Sequence, residues 1–300
     1  MASKNMAESA REGALREDGT AATIAAPTGE GAREAAFSAN VFTVSGLRFA
    51  YPGMLGRSER TIFDGLDLAL PEGVVTTLIG ANGSGKSTLF NLLTKNLRPQ
   101  GGKIYLRGGD VGLMRLRDFA RLVAIVHQKN AAPGDITVRK LVEYGRFAHH
   151  APGRAASTDE DERMVDWALS TCRIADLAHA RAGSLSGGQV QRVWIAMALA
   201  QGTRVLLLDE PTTYLDIRYQ LEILRLVRRL NREHGITVVM VLHDVNQAIH
   251  YSDHLVALAG GSVVAQGAPA DVVTPELLRH VYDVDLRVIE VDNEPFVLGV

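Results

Sequence analysis

One cysteine, two tryptophans and no long apolar run are what this 300-residue chain has least of. With Cys172 alone, an internal disulfide is excluded and a cysteine-based zinc site lacks its ligands, a usage that suits a reducing cytoplasm. As a small apolar side chain Cys172 needs no chemical role. No stretch approaches the roughly 18–20 apolar residues that a membrane-spanning helix requires; the run 193–200 is short and follows Arg192. Charge of one sign is lacking too, since 32 Lys and Arg against 34 Asp and Glu leave a formal net charge of -2. That balance gives no long-range pull on nucleic acid or anionic lipid, so nucleic acid is not an expected partner. His149, His150 and His254 stand at no metal-ligand spacing and read as surface or packing residues.

What is present is an ordinary globular composition, 46% hydrophobic and 22% charged, which can bury enough apolar surface to offset the ordering entropy of a folded chain. Residues 1–38 are the exception. They are rich in Ala, Glu, Arg, Gly and Ser without apolar period, and they read as a disordered tail; Glu8, Glu12, Glu17 and Asp18 argue against an organelle leader. A single domain is expected over 39–300. It opens with strands at 41–50 and 61–70 and a third at 74–79, which runs into a Gly-rich loop and then a helical stretch at 87–95. Buried-strand patterns recur at 122–126, 205–208 and 237–242, with a helix at 217–232. The alternation implies an α/β fold with a largely parallel sheet. Residues 129–201 are mostly helical, with segments at 137–147, 159–170 and 186–201, and form a helical subdomain inserted in that core. Short strands at 255–258 and 262–265, a helix at 275–281 and a terminal strand pair complete the chain.

Three segments carry chemistry. Gly80, Ala81, Asn82, Gly83, Ser84, Gly85, Lys86 and Ser87 follow the phosphate-binding loop spacing between an apolar strand and a helix, and Thr88 continues the set. The glycines let successive N–H groups turn inward, the helix start adds partial positive charge, and Lys86 supplies a full charge to β- and γ-phosphates. The Ser87 hydroxyl is placed to ligate Mg²⁺. The apolar run 205–208 ends in Asp209 and Glu210, where an α/β strand presents ligand groups: Asp209 for the metal, Glu210 as general base toward the attacking water. Ser186, Gly187, Gly188 and Gln189 combine a good N-cap with exposed N–H groups at a helix start, a second anion site in need of an opposing phosphate.

Leu185 to Gln189 matches the signature sequence of ABC ATPases, and the chain resembles that family from about residue 41 to its C-terminus. Tyr51 before the phosphate loop, Gln128 after the next core strand, Leu215-Asp216 and His243 follow in the family's order. The resemblance implies a RecA-like core with a small antiparallel β subdomain and a helical insertion. It implies that Tyr51 stacks on adenine, that Gln128 touches Mg²⁺ and senses the γ-phosphate, that His243 holds water and Glu210 in register, and that Asp216 lies across a dimer seam. In such proteins a second copy, arranged head to tail, supplies the signature that faces each phosphate loop, so two ATP molecules are sandwiched.

One phosphate loop and one signature, with no coiled-coil insertion and no spanning helices, resemble a stand-alone subunit on the cytoplasmic face of the cell membrane, beneath two membrane-spanning permease subunits. The stretches 133–138, 144–146, 209–216 and 242–248 look like the ATPases of ferric siderophore importers, with haem and cobalamin importers as near relatives and a soluble ABC ATPase without transport as the alternative class. An extracytoplasmic substrate-binding protein is implied only indirectly. Where such relatives often carry His after Tyr-Gly-Arg, this chain has Phe147-Ala148-His149-His150.

Overall fold

The computed structural model describes residues 40–53, 58–131, 133–150 and 158–299. The tail expected at 1–38 lies outside these residues, as do residues 151–157 of the loop that Pro152-Gly153 mark in the sequence. In chain order the elements are β1 (Asn40–Tyr51), β2 (Arg60–Pro71), β3 (Val75–Gly80), α1 (Lys86–Leu93), β4 (Gly101–Leu106), β5 (Gly109–Asp110), α2 (Leu116–Ala120) and β6 (Val123–Val126). Then follow α3 (Val138–Glu143), α4 (Asp159–Thr171), α5 (Gly187–Ala200), β7 (Val205–Asp209), α6 (Ile217–His234), β8 (Thr237–Val241) and α7 (Val245–Tyr251). β9 (His254–Ala259), β10 (Ser262–Gly267), α8 (Pro269–Val272), α9 (Pro275–Tyr282), β11 (Arg287–Val291) and β12 (Glu294–Leu298) close the chain.

Six strands form the central sheet in the order β10-β9-β3-β8-β7-β6, parallel except for β10 against β9. Its strands are continuous apolar runs because both faces are covered. In β7 and β8, Leu206, Leu208, Val238 and Met240 join one core with α5 and α6, while Val205, Leu207, Val239 and Val241 join a second core with α1 and the N-terminal strands. Each such fully buried side chain contributes about 1.5–3 kcal/mol. A four-stranded antiparallel sheet, β2-β1-β4-β5, caps the second core. The strands β4 and β5 and the helices α2 and α7 were not expected from the pattern. They are short, and their Gly-rich or mixed sequences carry too few turns of period to register.

α6 shows how sequence becomes packing. Asp216 caps its first turn by accepting from the Tyr219 N–H (3.1 Å), and Gly235 ends it in the left-handed region. Between them Ile223, Val227 and Leu230 recur at helical spacing and bury one face.

The segment expected as one helix at 137–147 is instead α3 followed by a 3₁₀ turn at Tyr144–Ala148. The tighter turn carries Arg146 inward, where its Nε donates to Asp161 (2.7 Å) and its Nη1 to the Ala200 carbonyl (3.0 Å). Asp161 also closes the capping box of α4 with Thr158 and meets His150 Nε2 at 3.1 Å. Burial alone would raise the Asp161 pKa, but the hydrogen bonds from Arg146, Thr158 and His150 outweigh it and hold the carboxyl well below the usual carboxylate range. With its folded value depressed, this group's stabilisation is complete above the unfolded value of roughly 3.9 and is lost as pH falls through the folded one. Asp161→Ala strands a buried guanidinium and is expected to cost about 3–5 kcal/mol at neutral pH, read as a lowered denaturant midpoint. A midpoint unchanged from wild type would show the pair to be neutral.

Candidate functional site

Three adjacent strand ends build the cleft. β3 runs into the loop 81–85, and its last residue, Gly80, has φ +152; a Cβ there would meet the Leu258 carbonyl and lie 2.7 Å from Ser84 Oγ. Only glycine fits. Gly85 precedes α1 with φ 106, again left-handed. Lys86 is buried at 5% exposure, and its Nζ donates to the carbonyls of Gly80 (2.7 Å) and Ala81 (2.9 Å), which centres the ammonium in the loop. Burial lowers its pKa and the charge of Glu210 opposes the shift. Among the described residues, the N–H groups of Asn82, Gly83 and Gly85 have no partner within the chain, and Ser84 Oγ is buried without one. Such a set of convergent donors fits a polyphosphate.

Tyr51 stands at the end of β1, edge-on to Phe49 (5.0 Å, 89°), with its hydroxyl 3.3 Å from Thr88 Oγ1. It leaves a half-exposed ring face at the cleft, room enough for a planar base. The cleft holds about 540 Å³ of empty space and is lined by Tyr51, Arg60, Ile62, the loop and start of α1, Glu210 and His243.

β7 delivers the carboxylates. Asp209 Oδ1 is buried with no partner among the described residues, and its pKa is pushed up to about 6 by burial and by the charge of Glu210, with His243 opposing. A carboxylate so placed is suited to a cation. With the Ser87 hydroxyl and the Gln128 amide oxygen it offers the hard oxygen donors that Mg²⁺ takes, and the ion customarily keeps phosphates and water as its other ligands. No cluster of three or more His, Cys, Asp or Glu that could hold a metal ion is found among the described residues.

Glu210 has φ 48, a strained left-handed conformation for a side chain of its size, costing on the order of 1–3 kcal/mol. The kink turns its carboxylate onto three groups. Oε1 lies 2.6 Å from His243 Nε2, and Oε2 accepts from Gln128 Nε2 and from Thr213 Oγ1 (3.1 Å). A carboxylate steered in this way, facing a phosphate loop, can take a proton from water.

Ser186 to Gln189 lie elsewhere. Ser186 caps α5 and Gln189 returns the bond to the Ser186 N–H (2.9 Å), a reciprocal capping box. Gly188 is buried because the Tyr219 ring occupies the place of any Cβ, and Gly187 packs toward Leu215. Ser186 and Gly187 are exposed, and Asp216, exposed beside them in sequence to Leu215, caps α6. None of these five lines the cleft. The structure thus gathers Tyr51, the loop, Gln128, Asp209, Glu210 and His243 in one place and leaves the Ser-Gly-Gly turn facing outward.

Arg60 and Ile62 in the cleft lining, and Thr213 as a donor to Glu210, were not expected. Thr213 sits inside the segment 209–216 and differs from its neighbours by no pattern; Arg60 and Ile62 arrive through the register of β2 on β1, which pairs Arg60 with Tyr51.

The family model described as ABC transporter matches residues 63–213. The iron(3+)-hydroxamate import ATP-binding protein of Bacillus subtilis (strain 168) is 46% identical over 235 residues, 78% of this chain and 87% of that protein. The ferric enterobactin transport ATP-binding protein of Escherichia coli (strain K12) is 44% identical over 236 residues, 79% of this chain and 87% of that one. Among solved structures, an inward-facing metal-chelate type ABC transporter superposes with a TM-score of 0.73 at 27% identity, covering 87% of this chain and 97% of the other. A dimeric ATP-binding cassette in a post-hydrolysis state with ADP and phosphate gives 0.65 at 27% identity, over 76% and 98%. Likeness of this depth across nearly the whole described chain, on top of a phosphate loop facing Glu210, means that the chain belongs to the ABC transporter family as an ATP-binding subunit.

Proposed function

We propose that this chain is the ATP-hydrolysing subunit of an importer for ferric siderophores. The observation that carries the catalytic half is the grip of His243 and Gln128 on the Glu210 carboxylate beside the loop that holds Lys86. The names of the most similar relatives support the cargo half, since they act on iron(3+)-hydroxamate, achromobactin, petrobactin and ferric enterobactin.

In this reading Tyr51 stacks on adenine, and the free N–H groups of the loop with Lys86 and Thr88 bind the phosphates. Ser87, Gln128 and Asp209 would hold Mg²⁺, which when bound supplies charge neutralisation to the β- and γ-phosphates. Glu210 accepts the proton of the attacking water, and His243 fixes the carboxylate and leaves one imidazole nitrogen toward the γ-phosphate. Ser186, Gly187, Gly188 and Gln189 of a second copy close over the nucleotide, with Asp216 at the seam. No described helix is long and apolar enough to cross a membrane, so the path for the cargo belongs to other chains. Two permease subunits fit that need, with this chain peripheral on the cytoplasmic face and the substrate-binding protein reached only through them. Residues 129–201 would form the helical subdomain that meets the permease.

Glu210→Gln is expected to bind ATP as wild type does, to lower steady-state hydrolysis by roughly 10²–10⁴-fold, and to elute as an ATP-dependent dimer. Turnover at the wild-type rate would refute Glu210 as the base. Lys86→Ala is expected to lose ATP affinity itself, by about tenfold or more in a calorimetric titration. For the cargo, the complex purified from membranes and reconstituted with its binding protein is expected to hydrolyse ATP faster with a ferric hydroxamate or catecholate; stimulation by haem or a corrinoid alone would reassign the importer.

A further inference from the structure

The cleft holds one cation whose charge nothing yet described has used. Arg60 begins β2, directly across from Tyr51 in the β1–β2 register, and it lines the cleft together with Tyr51, Lys86, Ser87 and Thr88. Its Nη2 lies 3.6 Å from the position that a Cβ on Gly83 would take, so the guanidinium reaches the tip of the phosphate loop from the base side.

Its neighbours in the antiparallel sheet show how unusual its pairing is. Arg48 meets Asp64 at 3.3 Å, Lys103 meets Asp110 at 3.3 Å and Arg107 meets Glu72 at 2.5 Å. The Arg60 side chain has no ion pair or hydrogen bond among the described residues. The adjacent carboxylate, Glu59, accepts instead from Gln100 at 3.3 Å and so is turned to another group. Within the cleft Glu210 is acidic, with Asp209 next to it in the chain, and the Lys86 ammonium is shared between two backbone carbonyls. A polyphosphate entering that space meets the loop N–H groups, one carboxylate and a single engaged ammonium, so Arg60 is the side-chain charge there with no protein partner among the described residues. A guanidinium has the planar fork that pairs two N–H donors with two phosphate oxygens.

We propose that Arg60 is a nucleotide-binding residue that closes on the phosphate chain from the Tyr51 side, so that the nucleotide is held between Lys86 at one end of the chain and Arg60 along it. The inference rests on the nucleotide reading of the cleft. It assigns to β2 a part in recognition that the phosphate loop alone does not need, and it makes the charge of the phosphate chain, rather than the base, what Arg60 reads.

The test compares wild type, Arg60→Gln and Arg60→Lys by calorimetric titration with ATP and with ADP, and by competition with adenosine. Arg60 is exposed, so both variants are expected to fold, which matching thermal melts would verify. Arg60→Gln is expected to weaken ATP and ADP by about tenfold, the loss of one charge-assisted contact, and to leave adenosine within about twofold. Arg60→Lys keeps the charge and loses the fork, and is expected to fall between. The salt dependence of ATP binding should also flatten in Arg60→Gln. ATP affinity in Arg60→Gln within about twofold of wild type, while Lys86→Ala still weakens it, would overturn the inference and leave the nucleotide reading standing. Equal losses for ATP and adenosine would likewise overturn it, because the side chain would then be packing on the base. Failure of wild type itself to bind ATP would overturn both.

Discussion

The order of four parallel strands is the constraint on which the rest of this molecule depends. Because β3, β8, β7 and β6 lie side by side, the phosphate loop, His243, Glu210 and Gln128 leave the same edge of the sheet as neighbours. His243 emerges from the strand between the loop and the carboxylate, and Gln128 from the strand beyond it. Two apolar cores clamp the sheet from both faces, so these four strand ends have little freedom to shift independently.

At that edge the structure stores strain. Glu210 in the left-handed region and Gly80 in a conformation that no Cβ would tolerate are both held by well-buried strands, and both determine where a reacting group points. Of the eight buried side-chain polar atoms left without partners among the described residues, two, Ser84 Oγ and Asp209 Oδ1, belong to the phosphate loop and to the strand end that faces it. Buried orphans are costly in a folded protein, and their coincidence with strained backbone is what a site built for a charged ligand requires.

The outward-facing turn at Ser186 has a different logic. Its hydroxyl and Gln189 complete a capping box, so the start of α5 is already formed and rigid, while the exposed glycine leaves room for close approach of another molecule. Arg146 and Asp161 brace the neighbouring helices, joining the 3₁₀ turn, the first turn of α4 and the last carbonyl of α5 in one buried network.

By itself the sequence determined the chemistry and most of the elements. Eight residues in register, from Gly80 to Ser87, bring their own backbone requirement with them, and the apolar runs at β3, β7 and β8 declare a sheet buried on both faces. These are local properties, fixed by residues within a few positions of one another. The short strands β4 and β5, the 3₁₀ turn that follows α3, and the hydrogen bonds of Gln128 and Thr213 to Glu210 were decided only by tertiary structure. Gln128 and Thr213 reach Glu210 from positions that no periodicity marks, and Arg60 meets the cleft only because β2 folds back on β1 in one register. Contacts between residues distant in the chain depend on how strands are ordered and paired, and that ordering is settled by the burial of whole faces rather than by any single stretch of amino acids.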